Sequence, residues 1–141
     1  MEVTEVTSYG ITYYSTQRRV WRVPQWLVEI EQCRQGIELF NRAEFFEAHE
    51  SLEDVWRAAP LAEKKFLQGL IQVAVALHHF GNGNLAGARS VLSRAFRNIS
   101  LYPEGFGGID SVGLLRSIAD WQRALDEGTA APALPRIVVI E

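Results

Sequence analysis

The sequence is poor in several things, and each scarcity removes a class of protein. It holds one cysteine and one methionine in 141 residues. A lone Cys33 cannot close an internal disulfide, so the chain reads as a resident of a reducing compartment, the cytoplasm. Neither sign of charge dominates: 14 Lys and Arg stand against 17 Asp and Glu, for a net charge of −3. That balance argues against a nucleic-acid-seeking domain, and Arg18, Arg19, Arg22 and Arg89, Arg94, Arg97 read as solvated charge. Long apolar runs are also missing. The longest, Phe66 to Phe80, is broken by Gln68, Gln72, His78 and His79, whereas a membrane span needs about 20 apolar residues. The start, Met1-Glu2-Val3-Thr4-Glu5, lacks the basic region of a secretory signal. The expectation is a soluble chain with no membrane partner.

What is present is an apolar fraction of 48% in a length that suits one domain with a real core. Between Pro24 and Gly128 the apolar period is helical. A first helix is expected over about 25–40. Asn41 then reads as an N-cap, with Glu44 at the third helical position and Phe40 and Phe45 as a hydrophobic staple, opening a second helix that ends near Arg57. Pro60 fits the first turn of a third helix over 61–80, apolar on nearly every side and therefore central, with Gly81 as its stop. Asn84 would cap a fourth helix over 85–101, and Asp110 or Ser111 a fifth, closed by Gly128. The expected fold is all-α: a compact irregular array of about five helices built on antiparallel hairpins. The division is an N-terminal arm over 1–23, the helical domain over 24–128 and a C-terminal arm over 129–141. Both arms read as short extended segments that could pair with each other. Phe45, Ala48, Leu52 and Trp56 also align with Leu85, Ala88, Leu92 and Phe96 at an offset of forty, a pattern similar to stacked helix-pair repeats.

One polar constellation stands out from this apolar pattern. His49 and Glu53 lie four apart on the second helix at the edge of its core stripe, so their side chains are neighbours. Gln68, Gln72 and His79 share a face of the third helix, and antiparallel packing could set Gln72 and His79 opposite His49 and Glu53. Three readings compete. The set is a buried hydrogen-bonded network, with Trp56 filling space. Or His49, Glu53 and His79 hold a divalent metal, zinc or manganese, as in a hydrolase, with Glu50 as general base. The spacing departs from the metalloprotease signature, because Glu53 stands where a second histidine belongs, and Glu50 points to solvent on the helical wheel. Or the site binds a small molecule or a protein through Trp56, Gln68, Gln72, His79 and Asn84, with Trp21, Trp26 and Trp121 lining a groove. Self-association into a homo-oligomer is left open. Cys33 reads as a small packing residue rather than a nucleophile.

The run Phe40-Asn41, Phe46-Glu47-Ala48-His49-Glu50, Leu52-Glu53, Trp56-Arg57 resembles an uncharacterised bacterial and archaeal family, domain of unknown function 309, through its His-x-x-x-Glu-x-x-Trp pattern. Gln68-Gly69-Leu70-Ile71-Gln72, with His79, Asn84, Gly87 and Ala88, is similar to the same family's second block, so the resemblance covers about 24–127. It implies a compact all-α fold and no established activity.

Overall fold

The computed structural model describes residues 3–8, 11–16 and 26–140. The helical body is the expected all-α array. A four-residue helix α1 (Trp26–Glu29) precedes five longer ones: α2 (Glu31–Asn41), α3 (Phe45–Ala58), α4 (Leu61–Gly81), α5 (Leu85–Ser100) and α6 (Ser111–Glu127). The expected first helix is thus divided at Ile30, which is extended (φ −80°, ψ 119°). Its expected start at Gln25 lies outside the described residues. Among the described residues no helix is long and apolar enough to cross a membrane.

Helix α4 is the axis of the body. Ten of its 21 residues are buried, among them Phe66, Leu67, Leu70, Ile71, Val73 and Leu77. A helix with so broad an apolar surface has to be covered on two sides, and α3 and α5 supply the cover. Close approach to α5 occurs at Gly69, where a Cβ would lie 2.6 Å from Ile99 Cγ1. Outside this trio, α2 packs on α3 and α6 on α5.

The α2–α3 and α4–α5 connections are the same turn, forty positions apart. Ala43 N–H donates to Phe40 O and Glu44 N–H to Leu39 O, both at 2.9 Å; Gly83 N–H donates to Phe80 O at 3.0 Å and Asn84 N–H to His79 O at 2.9 Å. Both turns pass through a left-handed residue, Ala43 at φ 63° and Gly83 at φ 79°. The repeat suggested by the spacing therefore extends to the backbone, with Ala48 and Ala88, and Leu52 and Leu92, buried at equivalent places.

Several helix ends differ from the sequence expectation. Asn84 and Asp110 do cap, accepting from Gly87 N–H at 2.9 Å and Gly113 N–H at 3.0 Å. The third helix, however, ends one residue late, with Gly81 inside it and the turn made at Asn82 and Gly83. Pro60 is the residue before α4 rather than part of its first turn. Asn41 is not an N-cap. It is the last residue of α2, and α3 begins after Glu44. The local pattern was right about the aromatic contact, since Phe40 and Phe45 meet edge to face at 5.3 Å. The Asn41 amide instead serves the C-terminal segment: its Nδ2 donates to Ile137 O at 2.9 Å, and its Oδ1 accepts from Ile137 N–H at 2.8 Å.

That amide pair copies one rung of a β-ladder. It fastens the extended tail where Ile137 enters the core. The next residues pair with the loop before α6: Asp110 N–H donates to Val138 O and Ile140 N–H to Gly108 O, both at 2.8 Å, around an antiparallel bridge of Ile109 with Val139. The N-terminal arm forms its own antiparallel hairpin, β1 (Val3–Ser8) with β2 (Ile11–Thr16). The two arms are therefore extended as expected, but among the described residues each pairs elsewhere and not with the other. Asn41→Ala should destabilise the fold by about 1–3 kcal/mol, because both tail groups lose their partner. Chemical denaturation measures the loss, and hydrogen exchange at the Ile137 amide should accelerate most.

Candidate functional site

The site is built on α3, whose apolar stripe turns Ala48, Leu52 and Val55 inward and leaves Phe46, His49, Glu53 and Trp56 along its border. Contacts at the two ends fix the register against α4. The Phe46 ring lies 5.4 Å from that of His78, and Lys64 Nζ lies 4.3 Å from the Trp56 ring centroid. The helices run antiparallel, so His49 and Glu53 lie along the seam between these contacts.

His49 Nε2 and Glu53 Oε2 are 2.9 Å apart, with side chains 27% and 35% exposed. With the proton on Nε2, the imidazole donates to the carboxylate and Nδ1 is left as an acceptor that no described residue uses. Glu53 is shared, for its Oε1 accepts from Arg57 at 2.7 Å. Arg57 also binds Asp54 at 2.6 Å, and Asp54 accepts from Gln32 on α2 at 2.9 Å. A carboxylate divided between a guanidinium and an imidazole gives His49 less polarisation than a dedicated partner would. The pair is oriented and accessible, and no described serine, threonine or cysteine stands beside it as a nucleophile.

The remaining candidates do not converge on it. Gln72 Oε1 accepts from Asn98 Nδ2 at 2.9 Å, tying α4 to α5. His79 Nδ1 lies 3.4 Å from Asn84 Nδ2 at the α4–α5 turn. His78 is the α4 histidine that meets α3, against Phe46, whereas Gln72 is turned to α5 and His79 to the α4–α5 turn. His49, Glu53 and His79 thus do not come together, and among the described residues no group of three potential ligands is placed to hold a metal ion. Glu50 is exposed, as the wheel expects. Trp121 cannot line an open groove: it is buried, edge-on to Phe80 at 4.8 Å, with its indole N–H donated to Ala133 O at 3.0 Å. Trp21 and the side chain of Trp26 lie outside the described residues, as do Arg18, Arg19 and Arg22.

Two of the candidates, Trp56 and Gln68, do share a cleft, of about 600 Å³, at the far end of the seam. Lys64, Lys65 and Tyr102, which the sequence pattern did not single out, also line it. Lys64 carried a legible signal. A cation in the first turn of a helix is at the wrong end of that helix's dipole, so it is expected to serve another element. Here its Nζ donates to Trp56 O at 2.6 Å and Arg57 O at 3.3 Å, closing the C-terminal end of α3. Phe46 and His78 carried no comparable signal, because their pairing depends on the α3–α4 register.

Residues 33–91, from α2 to the first turns of α5, match the family described as Domain of unknown function (DUF309). Over these residues the chain is similar to that family. This match is shorter than the resemblance over 24–127, yet it contains His49, Glu53, Trp56, Gln68, Gln72, His79 and Asn84. An uncharacterised protein of Aquifex aeolicus (strain VF5) is 35% identical over 109 residues, covering 72% of this chain and 33% of that protein. The uncharacterised protein YpuF of Bacillus subtilis (strain 168) is 37% identical over 62 residues, 43% of this chain and 36% of its own length. The chain thus spans about a third of the length of these relatives.

The single cysteine stands apart from the seam. Cys33 is fully buried, and burial pushes its thiol from 9.0 up to about 12. The raised value favours the folded state only while the unfolded thiol is also neutral. Stability should therefore fall as pH rises from about 9 towards 12, where the unfolded chain ionises and the folded chain does not. Native protein at pH 8 should react with an aromatic disulfide reagent only through unfolding, and immediate labelling would contradict this burial.

Proposed function

We propose that this helical domain is a binding module, with the seam between α3 and α4 as its ligand-contacting surface and the His49–Glu53 pair as its polar anchor. The observation that carries the reading is the state of that pair. It is held at 2.9 Å yet about a third exposed, beside a phenylalanine, Phe46, that is 47% exposed. A pair kept only for structure gains little at such a position, because exposed ion pairs contribute about 0–1 kcal/mol. An oriented imidazole next to an accessible aromatic face is a common arrangement for ligand contact. The helical-hairpin build supports the same reading, since such arrays present grooves between their elements.

With two protein donors side by side, zinc or manganese would have to complete its coordination from the ligand, so the metal-free reading is the better supported. The burial of Cys33 suits a reducing, cytoplasmic setting.

Glu53→Gln and His49→Ala test the proposal. Thermal melts against a chemically diverse metabolite and peptide panel should find compounds that raise the Tm of the wild type. Both variants should keep their own Tm within a few degrees and lose most of that ligand-induced rise. A large fall in Tm with the ligand response intact would make the pair structural. A panel that shifts all three proteins equally would move the site elsewhere.

A further inference from the structure

The cleft beside Trp56 has a charge and shape of its own. Leu61, 85% exposed, and Leu101, 48% exposed, form apolar walls with the Trp56 and Tyr102 rings. The same walls carry the ammonium groups of Lys64 and Lys65, and no acidic residue lines the cleft. The neighbouring Glu63 is buried. No described carboxylate pairs with either lysine, although six arginine–carboxylate pairs form among the described residues, from Arg42 with Glu38 to Arg123 with Asp120. Lys64 is held in place by the α3 carbonyls and the indole face, so its charge is fixed at the cleft. Gln68 adds an exposed amide. The indole N–H of Trp56 is buried with no partner among the described residues, an orphan donor within the cleft wall.

We infer that this cleft binds a small amphiphilic carboxylate, a compound with an apolar body and one terminal anionic group. The volume of about 600 Å³ fits a single such molecule. Its apolar body would cover Leu61, Leu101 and the two rings, removing apolar surface from water. Its carboxylate would meet two cations that lack an acidic partner, and charge-assisted hydrogen bonds of this type are the stronger ones. A neutral compound of the same body would leave that charge unanswered. The inference rests on the seam reading above and gives its ligand a chemical class.

Octanoate is a suitable probe and octanol its uncharged control. In ¹⁵N-labelled protein the indole N–H resonance of Trp56, assigned by its absence in Trp56→Phe, should shift saturably with octanoate. Octanol should bind at least tenfold more weakly. Lys65→Gln, a change at an exposed residue outside the α3 cap, should weaken octanoate by about tenfold, the worth of one charge-assisted contact. No saturable shift, equal binding of octanol, or unchanged binding in Lys65→Gln would each overturn the inference. The same shift on raising protein concentration without octanoate would assign the cleft to a second copy of the chain and overturn it too. Glu53→Gln separates the two proposals. Octanoate binding untouched by that change keeps the cleft and removes His49–Glu53 as anchor. Failure of octanoate, with other ligands still lost in Glu53→Gln, does the reverse.

Discussion

The constraint on which the structure depends is the burial of α4. Phe66, Leu67, Leu70, Val73 and Leu77 are each almost wholly removed from water, and each such side chain stabilises the fold by about 1.5–3 kcal/mol. A helix with that much apolar surface requires neighbours on both sides, which places α3 and α5 against it. The rest of the body is cover for this trio, α2 outside α3 and α6 outside α5. The polar residues of α4 are distributed by the same rule. Gln72 is consumed between α4 and α5, whereas Gln68 emerges beside Trp56. The candidate site is the strip of α3 left over once Ala48, Leu52 and Val55 have been used for packing.

The two hairpins share a turn but not an environment. Ala43 and Gly83 take the same left-handed conformation, a strained one for alanine and a free one for glycine. The first turn is further tied to the tail through Asn41, while the second is stabilised by the Asn84 cap. The hairpins therefore differ in what their turn residues do, although their buried alanines and leucines are equivalent. His49 and Trp56 have Arg89 and Phe96 at the corresponding places of the second hairpin, so the chemistry of the seam belongs to the first alone.

Helix existence, the centrality of α4, and the caps at Asn84 and Asp110 were legible because period and capping are local properties. Asn41 shows where local reading fails. Its spacing to Glu44 satisfies a capping box, but the amide has a stronger use against Ile137, 96 residues away. The His49–Glu53 contact was legible for the same reason the helices were, being an i, i+4 pair. Its expected partners Gln72 and His79 were not, because a rotation of α4 of about one residue decides whether they face α3 or α5. Gly87 illustrates the same limit. Its missing Cβ makes room for the Asn84 side chain that caps α5, a contact that the local period does not show. Lys64 was readable in principle from its misplaced charge, and Tyr102 was not, since it reaches the cleft through the α5–α6 loop.

On the proposed function, His49 and Glu53 are kept for contact with a ligand and contribute little to the fold. A double-mutant cycle with His49→Ala, Glu53→Ala and the combined variant, read by urea denaturation, tests it without knowledge of the ligand. The expected coupling energy is about 0.2–1 kcal/mol, the range for exposed pairs. A coupling above about 2 kcal/mol, in the range of tightly coupled neighbours, would make the pair a structural keystone of the α3–α4 seam and contradict its role as a ligand contact.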